Sequence, residues 1–101
     1  MKGRILTNEA VQSFKKYLQE EEKSSNTIEK YLRDVQAFVV HLNGAEVTKE
    51  VVVSYKNKLL SKSYATRSIN SMLASLNSLF LFLGWADLKV KSIRLQRQTY
   101  C

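Results

Sequence analysis

Proline is absent from the 101 residues, and glycine occurs three times, at Gly3, Gly44 and Gly84. Both residues interrupt helices, so their scarcity points to a mostly helical chain with short connections. Cys101 is the single cysteine, which excludes an internal disulfide. With His41 as the single histidine, a Cys/His metal site is excluded as well, and no metal or other cofactor is expected. No apolar run reaches the length of a membrane span. The opening "MKGRILTNEAVQ" lacks the apolar core of a signal peptide, so a cytoplasmic location is expected.

Acidic residues are also missing from one half of the chain. Residues 1–50 hold eight Lys/Arg and eight Asp/Glu, whereas residues 51–101 hold eight Lys/Arg and only Asp87. The whole net charge of +7 therefore lies in the second half. Such asymmetry serves solubility in many proteins and is also the electrostatic footprint of a polyanion binder.

What is present is an apolar fraction of 45%, enough for one core in a single domain of this length. Four segments show helical periodicity. The first covers about Asn8–Glu22 after Thr7 as cap, with Val11, Phe14 and Leu18 as its stripe. The second opens at "SSNTIEKY", with Asn26 as cap and Glu29 completing a capping box. Its apolar arc runs from Ile28 to Leu42, and Asn43-Gly44 ends it. The third opens at Thr48 with Val51, Val52, Tyr55 and Leu59 inward, although Val51–Val53 carry strand propensity. The fourth covers about Thr66–Leu83 and is closed by Gly84. The remainder, "ADLKVKSIRLQRQTYC", reads as a basic, extended arm.

The fourth helix lies within "SINSMLASLNSLFLFLGW", Ser68–Trp85, a stretch without any charge. Ile69, Met72, Leu73, Leu76, Leu79, Phe80 and Leu83 form its core face, and Arg67, Asn70, Ser71, Ala74, Ser75, Asn77 and Ser78 the opposite one. Solvated faces usually carry Lys–Glu pairs. Short neutral groups permit close approach, either to phosphates and base edges or to protein neighbours packed on both sides. Both readings stand on this segment alone. Leu81 and Phe82 point partly outward and call for a cover.

Phe14, Tyr17, Leu18, Ser25, Asn26, Thr27, Tyr31, Asp34 and Phe38, then Thr48, Val51, Tyr55 and Leu59, then Ser68, Ile69, Asn70, Leu73, Leu76, Leu79, Phe80, Phe82 and Leu83, form one ordered pattern. In order and spacing it resembles the core-binding domain of tyrosine recombinases, the phage-integrase family, across nearly the whole chain. The resemblance implies an all-α, compact four-helix bundle of two crossed helical hairpins, SAM-like, with a basic C-terminal tail. Residues 1–86 would be the DNA-binding domain and residues 87–101 a linker toward a catalytic domain outside this fragment.

The implied function is half of a clamp that holds double-stranded core-site DNA for integration and recombination, with the chain's own catalytic domain as the other half and self-association on DNA. The family's catalytic arginines, lysine, histidine and tyrosine belong to that other domain, and nothing here matches them. Tyr100 lacks the surrounding motifs of a nucleophile, and His41 reads as a surface residue. No catalytic residue is expected in this chain.

The resemblance places the second and fourth helices against the major groove. The implied contacts are Lys23, Ser25, Thr27 and Lys30 around the second helix, and Lys62, Arg67, Asn70, Ser71 and Ser75 around the fourth. Ser24, Arg33, Ala37, His41 and Ser63 share those faces. Lys89, Lys91, Arg94 and Arg97 would track the backbone. Where the family often carries arginines on the fourth helix, this chain has Ser71, Met72 and Asn77, and Lys62 and Arg67 supply compensating charge. A helical protein-interaction module without DNA binding is the rival reading, and it leaves the basic half unexplained. A small helical enzyme is a second rival, opposed by the lack of any nucleophile–base pair.

Overall fold

Each apolar arc folds as a helix in the computed structural model, which describes residues 4–62 and 64–93. The helices are α1 (Asn8–Glu20), α2 (Ser25–Leu42), α3 (Lys49–Ser61) and α4 (Thr66–Phe82), followed by one 3₁₀ turn at Ala86–Leu88. No strand occurs among the described residues. No helix among them is long and apolar enough to cross a membrane.

The starts of the first three helices follow from side-chain capping. Thr7 accepts from the Ala10 amide at 3.1 Å, and Thr48 from the Val51 amide at 3.2 Å. For α2 the cap is Ser24 and not Asn26: its Oγ accepts from the Thr27 amide at 3.2 Å. Asn26 therefore lies inside the first turn, and Glu29 falls too far along the helix to close a capping box. The valines of α3 stay helical because Val52 is fully buried against the core while Thr48 fixes the entry.

The ends of α1, α2 and α4 are set by left-handed residues. Gly84 (φ 78°) closes α4 with the Trp85 amide donating to Phe80 at 2.7 Å and the Gly84 amide to Leu81 at 3.2 Å. The same motif closes α1 two residues earlier than its periodicity predicts. There Lys23 donates to Leu18 and Glu22 to Gln19, with Glu22 itself at φ 61°. A glutamate thus stands where this motif favours glycine.

α1 and α2 make one hairpin, α3 and α4 the other. The most extensive pairing is α2 on α4. Phe14, Phe38 and Phe80, all fully buried, join the hairpins, with the Phe38 and Phe80 rings edge-on at 6.0 Å. Phe82 packs on Tyr17 at 4.8 Å, so α1 covers it, while Leu81 stays exposed.

The chain after α4 does not leave the domain at residue 86. Leu88 and Val90 are buried members of the same core, and Ile93 packs against it. The expected boundary thus falls inside the packed unit. Arg4 also reaches this region: its guanidinium pairs with Asp87 at 2.9 Å and lies 5.8 Å from the Trp85 ring centre.

Candidate nucleic-acid interface

The residues expected to bind DNA separate into three groups. The first is a polar lock between α2 and α4. Ser75 is fully buried, and its hydroxyl donates to Asp34 Oδ2 at 2.7 Å. Lys30 Nζ pairs with the same carboxylate and lies 3.3 Å from both the Ser71 carbonyl and Ser75 Oγ. A buried carboxylate needs such partners, because an unpaired one bears its full desolvation cost. Ser75 is therefore a core residue and not a surface group, correcting its placement on the outer side of α4. Ser71 is half-buried, and its carbonyl serves the lock. Lys30 keeps part of its surface but spends its charge on Asp34.

Lys30 meets Ser71 and Asp34 meets Ser75, one turn on in both helices, so the lock pins the point where α2 crosses α4. The start of α4 carries no side-chain cap.

The second group holds the C-terminal segment. Asn70 Nδ2 donates to the Ile93 carbonyl at 3.0 Å, and the Ile93 amide donates to Asn70 Oδ1 at 2.6 Å. Asn77, two turns later, repeats this with Val90 at 2.9 and 3.0 Å. The spacing fits: two helical turns rise about 10.5 Å and three extended residues about 10 Å. From α3, Lys49 Nζ donates to the Lys89 carbonyl, and Lys56 Nζ to that of Lys91 at 2.7 Å. Asn70 was expected at a base edge; both ends of its amide are already bonded to Ile93. The neutral face of α4 is thus covered by protein on two sides, α2 on one and the segment 89–93 on the other.

The third group remains open to solvent. Arg33 and Ala37 are exposed on α2, one turn apart. Beside them on the α4 side lie Ser68, Ser71 and Met72, which line a shallow groove with Lys30, Arg33 and Asp34. On the α3 side a second groove runs past Ala37 and is lined by Tyr55, Lys58, Leu59, Lys62 and Tyr64. Lys62 caps the end of α3, and Arg67 is exposed in the first turn of α4. Asp34 is the one carboxylate among these lining residues, and Lys30 already pairs with it. Burial first, then the charge of Asp34 and the nearby Tyr64, push the Tyr55 hydroxyl up. His41 is half-buried, 4.9 Å from the Tyr55 ring, and burial and then Lys58 hold its imidazole below its ordinary value.

Ser25 is the exposed first residue of α2, and Thr27 Oγ1 accepts from the Ser24 hydroxyl at 2.9 Å within the cap. Lys23 lines a different cleft, between α1, α2 and the end of α4, with Glu21, Tyr31 and Leu81. Lys89 and Lys91 are exposed while their carbonyls are held by α3. Ser63, Arg94, Arg97, Tyr100 and Cys101 lie outside the described residues. Lys58 and Tyr64 were not anticipated. The signal for Lys58 was its place one turn before Lys62, which puts two cations on one face of α3.

The family model of the phage integrase N-terminal SAM-like domain matches residues 11–87. The chain belongs to that family. Two curated relatives, each named tyrosine recombinase XerA, come from archaea. The Pyrococcus furiosus protein is 33% identical over 84 residues, 83% of this chain and 29% of its own length. The Thermococcus onnurineus protein is 31% identical over 80 residues, 79% of this chain and 28% of its own. The chain thus spans under a third of the relatives it matches. No solved structure matches it significantly. Within the SAM-like domain, residues 88–93 lie beyond the matched range although they pack on the core.

Proposed function

We infer that this chain is the DNA-binding half of a site-specific tyrosine recombinase, and that it grips duplex DNA through the exposed strip of α2 and the two grooves beside it. The observation that carries this reading is the gathering of Arg33, Lys58 and Lys62 along that strip, where the lining carboxylate is already neutralised, with Arg67 exposed next in sequence to groove-lining Ser68. Such a face attracts phosphates without self-cancellation. Tyr64, 45% exposed between Lys62 and the start of α4, adds a hydroxyl and a ring to the same rim.

The catalytic step is assigned to a further domain of the parent protein, as the relatives' name and their greater length support. Contacts of this chain then position core-site DNA and carry much of the affinity, with Ser68 as a short group lining the groove. Fluorescence anisotropy of a labelled duplex tests the reading. Arg33→Ala, Lys62→Ala and Arg67→Ala should each weaken binding and flatten its salt dependence, by about 0.9 in the log–log slope per lost phosphate contact. Wild-type affinity in all three variants would refute the assignment of this face.

A further inference from the structure

We propose that residues 89–93 form a detachable strap, and that Lys49, Lys56, Asn70 and Asn77 act as its clamp and so decide where the chain leaves the domain. The strap is gripped through its backbone. Carbonyls of Lys89 and Lys91 go to α3, those of Val90 and Ile93 to α4, and both asparagines also accept an amide. The side-chain grip is small by comparison: Val90 is buried, Ile93 is half-buried, and Lys89, Lys91 and Ser92 face solvent. Backbone capture of this kind tolerates many sequences, as in strand-type peptide recognition.

The direction of the strap gives the clamp its consequence. It runs back along α4, from Asn77 toward Asn70, so the docked chain departs beside the first turns of α4, close to Arg67. With the clamp open, the chain would depart from Leu88, which stays in the core toward the other end of the helix. Release would also free an extended length of about 15 Å between residues 89 and 93. A segment with few apolar contacts, held partly by exposed lysine bonds, opens before its domain does. Asn70, Asn77, Lys49 and Lys56 have no other hydrogen-bond partner among the described residues, so the clamp is their assigned role.

The test uses the 101-residue chain with Cys101→Ser, spin labels at Ser92→Cys and Ala74→Cys, and pulsed dipolar distance measurement. The parent should give one narrow distance distribution. Asn70→Ala/Asn77→Ala and, separately, Lys49→Gln/Lys56→Gln should broaden it, while amide exchange in α2 stays within twofold of the parent and that of Val90 and Ile93 rises at least tenfold. A distribution that stays narrow in both double variants would overturn the clamp. Loss of α2 protection together with the strap in the Lys49→Gln/Lys56→Gln variant would overturn its independence, since the segment would then be an inseparable part of the core.

Discussion

Asn70 and Ile93 bond reciprocally: the Asn70 amide nitrogen donates to the Ile93 carbonyl and its oxygen accepts the Ile93 amide, at 3.0 and 2.6 Å. This pair is why α4 has asparagine where solvated helices carry lysine or glutamate. Asn70→Asp would keep the acceptor and lose the donor, placing a carboxylate oxygen against the Ile93 carbonyl. The expected cost is about 1–2 kcal/mol, read by chemical denaturation. Asn70→Ala should cost about 1 kcal/mol.

Lys30, Asp34 and Ser75 form a lock in which the buried carboxylate is the demanding member. Ser75→Ala should cost about 1–2 kcal/mol, and Lys30→Ala about 1–3 kcal/mol by leaving Asp34 short of a partner. Ser75→Glu should prevent folding, because it sets a second carboxylate beside the first in a fully buried position. Circular dichroism melts distinguish these outcomes.

Two left-handed residues invite opposite substitutions. Gly84 has open space where a Cβ would lie, so Gly84→Ala tests backbone strain alone and should destabilise by about 1 kcal/mol. Glu22→Gly should stabilise by about 1 kcal/mol, relieving strain at φ 61° and removing a negative charge from the carboxyl end of α1.

His41 makes stability depend on pH. Its folded imidazole protonates below the ordinary 6.5, held down by burial and then by Lys58. On acidification the unfolded chain takes up the proton first, so stability present above about pH 6.5 is lost as the pH falls through the folded value. His41→Gln should flatten this part of the pH profile in urea titrations. An unchanged slope would assign it to other groups.

The helices were legible because an apolar arc is a local property: Val11, Phe14 and Leu18, or Val35, Phe38 and Leu42, reveal a buried face without knowledge of its partner. The cap of α2 was misread between Ser24 and Asn26 because both are good caps and the choice depends on backbone geometry at Ser24. The roles of Asn70, Ser75 and Asn77 were not legible. Their helical positions show that they share the polar side of α4, but not that α2 covers part of it and a segment 13 to 23 residues later covers the rest. Lys30 looked free for the same reason: a one-turn ion pair to Asp34 reads as surface until Ser75 is seen beneath it. Arg33, Lys62 and Arg67 keep the exposure expected of them among the described residues.

The central claim, that the α2 strip and its grooves grip DNA electrostatically, is tested most directly by the salt dependence of duplex binding. Anisotropy titrations of the wild-type chain should give a log–log slope of several units, from about 0.9 per phosphate contact. The triple variant Arg33→Ala/Lys62→Ala/Arg67→Ala should lower that slope by about 2.7 while leaving the melting temperature unchanged. A wild-type affinity that is the same at low and moderate salt, or a triple variant with the wild-type slope, would contradict the account.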